Sequence, residues 1–202
     1  MKDIDRRSIL QGAIAAIPLA AVGQSATPQA KAPLPQEDST DKGRKEKAFV
    51  VAPGESRYAK PTVGGGPISV KVSGADTGGD FALFEVPAIP YSGPPLHMHH
   101  VENEWFYALE GEFEIRVGDE YFQLTPGGSV FAPKMIPHTW QSVGETPSKM
   151  LSLAEPAGHL EAFLVAASQQ VREGPPGPGA LKALFEKYDM EVMGPPLPKK
   201  IK

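Results

Sequence analysis

None of the 202 residues is cysteine. That excludes a disulfide framework, a thiolate zinc site, an iron–sulfur cluster and a cysteine nucleophile together, because each needs the sulfur. Any metal must be held by nitrogen and oxygen. A strong charge imbalance is lacking too: the formal net charge is −4 and no long basic stripe runs through the chain, so nucleic acid is not expected as a partner. The basic end Lys199-Lys200-Ile201-Lys202 reads as a solvated tail. No Lys-Ser/Thr pair follows Gly64-Gly65-Gly66, which leaves a flexible loop rather than a phosphate loop. Gly127-Gly128-Ser129-Val130-Phe131 lacks the second glycine of a nucleophile elbow and does not join a strand to a helix, so Ser129 reads as a strand residue. There is no internal repeat, and the length suits one domain with a proper core.

What is present begins with an N-terminal stretch organised like an export signal. A short charged start precedes an apolar run from Ile9 to Val22, and small residues follow it. The run is shorter than the ~20 residues a bilayer requires and is interrupted by Gly12 and Pro18, so a transmembrane anchor is disfavoured. Arg6-Arg7-Ser8-Ile9-Leu10-Gln11 resembles the twin-arginine signal. That resemblance implies recognition by the twin-arginine export machinery and a periplasmic or otherwise exported protein, folded before transport and able to load a metal first. Two cleavage positions, Ala21-Val22-Gly23 and Gly23-Gln24-Ser25, stay open. Removal of the first 25 residues would take Lys2, Arg6, Arg7, Asp3 and Asp5 with it, turning the net charge from −4 to −5. Residues 26–48, rich in Pro, Lys, Asp and Glu, read as a disordered linker.

From residue 49 to 156 the pattern is β. Gly (21) and Pro (22) are abundant, which favours short elements joined by tight turns. Ile68–Val72 alternates; Phe81–Val86 is more continuously apolar. Phe113, Ile115 and Val117 alternate with Glu112, Glu114 and Arg116, and Gly118-Asp119 turns that strand into Tyr121–Leu124. Val130–Ala132, His138–Ser142 and Lys149–Ala154 supply three more strands. No crossover helices intervene, so the expected fold is all-β, an antiparallel β-sandwich or jelly-roll barrel. Residues 157–202 read as a C-terminal helical extension laid against the outside of the barrel. Leu160, Phe163, Leu164 and Ala167 share one helical face, and Leu181, Leu184, Phe185 and Tyr188 another. Gly174 to Gly179 separates the two helices, and Gly194-Pro195-Pro196 ends the second.

The chemistry concentrates in Leu96–Gly111, LHMHHVENEWFYALEG. In a strand, His97 and His99 point to the same side, and Glu104 follows at the start of the next strand-forming run. With His138 they would make a nitrogen and oxygen site suited to one divalent transition metal, Fe, Mn, Ni, Co or Zn, with positions left open. Glu102 is the rival carboxylate, but it falls within the turn between strands. His100 and His159 read as surface or otherwise satisfied residues. Phe106 and Ala108 share the face of Glu104, and Trp140 that of His138, so they line a substrate pocket or simply fill the core.

Two segments carry a family resemblance. The first is similar to the first motif of the cupin superfamily: H-x-H, three or four residues, E, six residues and G. The second, Gly127–Ser142, resembles the other cupin motif at Gly127, Pro133 and His138, but has Met135 where the family has glycine and Ser142 where it has asparagine. Tyr91 likewise replaces the leading glycine of the first motif. A Cβ is poorly tolerated at positive φ, so the Pro133–Pro137 turn differs or Met135 lies over the site mouth. The stretches PAGHLEAF and YDMEVMGPPLP extend the likeness to small single-domain cupins grouped with quercetin dioxygenases. That resemblance implies a metal-dependent dioxygenase acting on a flavonol or enol, with His97, His99, Glu104 and His138 as ligands and Glu104 as the catalytic proton acceptor. Its implied partners are a small-molecule substrate and dioxygen, with a homodimer left open. A non-catalytic binding or sensing module, and a metal-dependent isomerase or decarboxylase, are the alternatives.

Overall fold

The computed structural model describes residues 47–57, 68–173 and 178–199. The export signal, nearly all of the linker, Gly64-Gly65-Gly66, the first part of the Gly174–Gly179 break and the end of the basic tail lie outside the described residues. Among the described residues no helix is long and apolar enough to cross a membrane.

The described residues form ten strands and two helices. In order the elements are β1 (Ser69–Val72), β2 (Ala82–Ala88), β3 (Leu96–His99), β4 (Asn103–Glu110), β5 (Phe113–Val117), β6 (Glu120–Leu124), β7 (Ser129–Ala132), β8 (His138–Ser142), β9 (Ser148–Glu155), α1 (Leu160–Glu173), α2 (Pro178–Lys187) and β10 (Met190–Gly194). They form two five-stranded antiparallel sheets, ordered β1-β2-β9-β4-β7 and β10-β3-β8-β5-β6. The expected all-β sandwich is therefore the observed one. Every second residue of β2, β4 and β9 is buried, as one face of a sheet packed on another requires. Phe84, Phe106, Phe113, Ile115 and Met150 are fully buried at its centre, each stabilising the fold by roughly 1.5–3 kcal/mol relative to exposure.

The C-terminal segment differs from its sequence reading in one respect. Residues Met190–Gly194 form a strand, not the end of a helix: α2 stops at Lys187, Asp189 takes a left-handed φ of 56°, and β10 then pairs with β3. A short polar side chain tolerates that conformation better than most, and Met190, Glu191 and Val192 alternate as a strand requires. The helices bury their apolar faces: Leu160, Phe163 and Phe185 belong to the buried core, with Leu164, Ala167, Leu181 and Leu184 packed against it, and the Phe163 ring meets that of Phe185 edge-on at 4.6 Å. Glu161, in the first turn of α1, accepts hydrogen bonds from the Ser73 hydroxyl at 2.8 Å and the Gly74 N–H at 3.1 Å. This ties the helix to the loop after β1.

Candidate metal centre

The four residues singled out in the sequence converge between the two sheets. β3 and β8 are neighbours, and His97 lies directly opposite His138 in their register; His99 follows two residues later on the same face. Glu104 comes from β4 of the other sheet, where its cross-strand neighbours are Ala132 and Ala154. Both alanines are fully buried, and their small side chains leave room for the carboxylate. One ligand atom from each of His97, His99, Glu104 and His138 lies within 4.8 Å of all the others. The ring centroids of the three histidines are 4.7–5.3 Å apart.

The hydrogen bonds at the back of each ring decide which nitrogen faces inward. His97 Nδ1 is 2.9 Å from the Pro95 carbonyl and His138 Nδ1 is 3.1 Å from the Ile136 carbonyl, while His99 Nδ1 is 3.2 Å from Glu102 Oε2. Each of these partners is an acceptor, so each Nδ1 donates outward and each Nε2 is turned toward the cluster. His99 Nε2 is buried without a hydrogen-bond partner. His138 Nε2 lies 3.1 Å, and His99 Nε2 3.6 Å, from Glu104 Oε2. A metal among them would replace the hydrogen bond between His138 Nε2 and Glu104 and give His99 Nε2 the partner it lacks. The donor set and the orphaned His99 Nε2 thus fit a divalent metal, and they are the residues that could hold it.

The electrostatics agree. Burial works to raise the Glu104 pKa, but the hydrogen bond to His138 and the attraction of His99, His138 and His97 outweigh it and hold the carboxyl down at about 2. Burial, reinforced by the charges of His138 and His99, pushes His97 well below the usual imidazole value. One carboxylate and a neutral imidazole is the protonation pattern a metal requires.

Two further residues support the cluster and were not assigned these roles from sequence. Ser152 on β9 donates its hydroxyl to Glu104 Oε1 at 2.5 Å, fixing the carboxylate from behind. Its signal was legible, since it stands between Met150 and Ala154 on the inward face of β9, where a hydroxyl is out of place unless bonded. Glu102, weighed as a rival ligand, instead lies behind His99. It is fully buried, and its other oxygen accepts the His159 N–H at 2.5 Å. Burial raises its pKa, but the hydrogen bonds from His99 and from the His159 backbone prevail and lower it. His159 itself is exposed and pairs with Asp189 at 2.8 Å, and His100 faces Glu191 at 3.8 Å. Neither joins the cluster.

A cavity of about 390 Å3 opens onto His97 and Glu104. Trp140 lines it; Phe106 is buried behind His138, with the ring centroids 6.1 Å apart, and does not. Met135 is 55% exposed and is also absent from the lining, so it does not lie over this opening.

Residues 84–154 match the family model described as Cupin_2, cupin domain. Over this segment the chain is similar to the cupin domain. The match runs from β2 to β9 and leaves β1, the helices and β10 outside. Over 61 residues, 30% of this chain and 49% of the other, the sequence is 31% identical to an uncharacterized protein, MJ1618, of Methanocaldococcus jannaschii; the chain thus spans about half the length of that relative. Among solved structures, TT1209 from Thermus thermophilus is 32% identical over 38% of this chain and 72% of that one, with a TM-score of 0.37. The polyketide cyclase RemF from Streptomyces resistomycificus is 22% identical over 48% and 68%, with a TM-score of 0.41. A double-stranded β-helix protein from Klebsiella pneumoniae is 18% identical over 56% and 92%, with a TM-score of 0.43.

The places where the cupin motifs are broken keep the backbone the motifs imply. Tyr91 and Met135, which stand where glycine is usual, adopt φ of 59° and 64°, the left-handed region that glycine enters freely and other residues at a cost of roughly 1–2 kcal/mol. The turn is kept because it is tethered. The Met135 N–H bonds to the His99 carbonyl at 2.8 Å, and the Tyr91 N–H to the Ser142 carbonyl at 3.0 Å. Ser142, in the asparagine position, is buried with its hydroxyl 2.9 Å from that of Ser148. The departures therefore change these side chains and leave the cluster in place.

Proposed function

We propose that the cupin domain holds one divalent transition metal through His97, His99, Glu104 and His138 and acts as a dioxygenase on an enol-type or flavonol small molecule after export by the twin-arginine route. The observation that carries the metal is the inward turn of three Nε2 atoms onto a buried carboxylate, with His99 Nε2 unpartnered. Support for an oxygen-dependent reaction comes from the resemblance of both motifs to quercetinase-like cupins, and from the cavity beside the cluster, whose apolar lining would keep water from a reactive enolate.

A metal bound there supplies Lewis acidity and redox contact with dioxygen. The chain's own residues do the rest. Glu104, steadied by Ser152, is the only carboxylate lining the cavity among the described residues and stands ready to take the hydroxyl proton of an entering enol. Glu102 and the carbonyls of Pro95 and Ile136 hold the imidazoles in one tautomer. The helices close the apolar side.

One observation favours a second reading, a non-catalytic binding module: a carboxyl held at about 2 is a weak base at neutral pH. The experiment that decides measures metal content of the purified protein and its oxygen uptake on a panel of enols and flavonols. Near-stoichiometric metal with uptake on one of them is expected, and His97→Ala should lower the occupancy sharply. Metal without uptake on any enol leaves the binding module; no stoichiometric metal even after supplementation refutes the metal centre.

A further inference from the structure

The cavity beside the cluster is polar at one end only. Three of its polar side chains, His97, Glu104 and Ser152, belong to the cluster or touch it. Away from them the wall is carbon, with Phe84 and Val86 from one sheet, and Phe163, Leu164 and Leu181 from the helices. Elsewhere in the wall the indole of Trp140 is the one side chain with a polar atom not seen to be bonded, and the remaining polar groups are largely committed. Ser92 donates its hydroxyl to the Ile89 carbonyl at 2.7 Å, the Pro94 carbonyl accepts from Thr139 Oγ1 at 2.8 Å, and the Pro95 carbonyl is taken by His97. Among the described residues no lysine, arginine or aspartate lines the space.

We infer that the ligand of this cavity is an uncharged, largely apolar molecule carrying a single oxygen-bearing end, which enters with that end toward Glu104 and His97. A sugar, a sugar acid or a polyhydroxylated flavonol would bring hydroxyls or a carboxylate against carbon with nothing to receive them. Each buried hydroxyl left unpaired costs about ten- to a hundred-fold in affinity. Size agrees, because at the ~0.74 packing density of protein interiors a 390 Å3 cavity holds a compact ring system. The anchoring of the oxygen end rests on the metal reading above; the apolar body of the ligand does not.

Much of the selecting wall lies outside the cupin match. Leu160, Phe163, Leu164 and Ala167 on α1, with Leu181 and Phe185 on α2, all face the cavity, and all follow residue 154, where the family match ends. The ligand is therefore chosen by the helical segment, while the cluster supplies its anchor.

Calorimetric titration of the full chain, metal-loaded and metal-free, with 3-hydroxyflavone, quercetin and galacturonate tests this. The first two share the oxygen-bearing end and differ in the hydroxyls on the body. Binding of 3-hydroxyflavone at least about ten-fold tighter than quercetin, with no heat from galacturonate, is expected. Equal or tighter binding of quercetin, binding of galacturonate, or no binding of either flavonoid overturns the inference. The metal content of the same samples separates the two readings: if no metal is held, the metal reading fails, and the preference between the flavonoids on metal-free protein still decides this one. Ala167→Leu, which narrows the cavity from α1, should weaken 3-hydroxyflavone about ten-fold or more with metal content unchanged; Ala167→Val serves the same purpose should the larger side chain prevent folding. Unchanged affinity in the folded variant overturns the placement.

Discussion

Replacing Gly158 by Ala, on the surface just before α1, should damage the buried metal cluster. Gly158 has φ of 50°, and a Cβ built on it would overlap the Glu102 carboxylate. The left-handed backbone alone costs an alanine roughly 1 kcal/mol or more. Glu102 cannot yield freely, because it is fully buried and bonded to both His99 Nδ1 and the His159 N–H. Losing one such charge-assisted bond costs a further ~1.5–3 kcal/mol, for a total of about 3 to 4 kcal/mol out of a typical 5–15. Chemical unfolding of the metal-free protein measures that loss. The same displacement frees the His99 ring, so metal affinity should fall about ten- to a hundred-fold, as when an outer partner of a ligating histidine is removed. Gly179→Ala is the control, since Gly179 lies in α2 with nothing near its missing Cβ, and it should stabilise by roughly 0.5–1 kcal/mol. If Gly158→Ala unfolds within about 0.5 kcal/mol of the parent and binds metal as tightly, Glu102 does not position His99 and the reasoning fails.

Acid should unfold the metal-free protein in two overlapping stages. The folded pKa of His97 is depressed, so the unfolded chain takes up that proton first and stability begins to fall below about pH 6.5. Glu104 has a folded pKa of about 2 against 4.5, so its contribution, at most about 3 kcal/mol, is whole above pH 4.5 and is lost as pH falls toward 2. Urea unfolding at several pH values should show Glu104→Gln with a flatter dependence across that lower window; an unchanged slope would show that Glu104 is not the group responsible. Met135→Gly should relieve the left-handed strain at φ 64°, with part of the gain offset by the entropy of a glycine. Since the Met135 side chain is largely exposed, thermal melting should show a change between zero and about 1 kcal/mol in favour of the variant. A loss beyond 1 kcal/mol would mean that this side chain packs against something that matters.

Period-two alternation made most of the sandwich readable before any coordinates. Phe113, Ile115 and Val117 sit where alternation put them, on β5, and His97 with His99 share the inward face of β3. The His97, His99, Glu104 and His138 set was legible for the same reason: a face is a local property of a strand, and a motif states its own spacing. Met190–Gly194 was not legible as a strand, because it is short and follows an amphipathic helix without a proline between. It becomes a strand only because the edge of β3 offers it backbone partners.

The roles of Glu102 and Ser152 show the same division. By itself the sequence determined most of the strands and both helices, the faces on which their side chains lie and the chemistry of the four donors. Only the tertiary structure decided that Glu104 meets the histidines from the opposite sheet, that Glu102 stands behind His99 under the start of α1, and that α1 and α2 wall an apolar cavity. These are contacts between segments 34 to 57 residues apart, such as His138 with Glu104 and His159 with Glu102. Local propensity says which way a side chain points; what it meets depends on how the sheets stack and where the helices dock to bury their apolar faces.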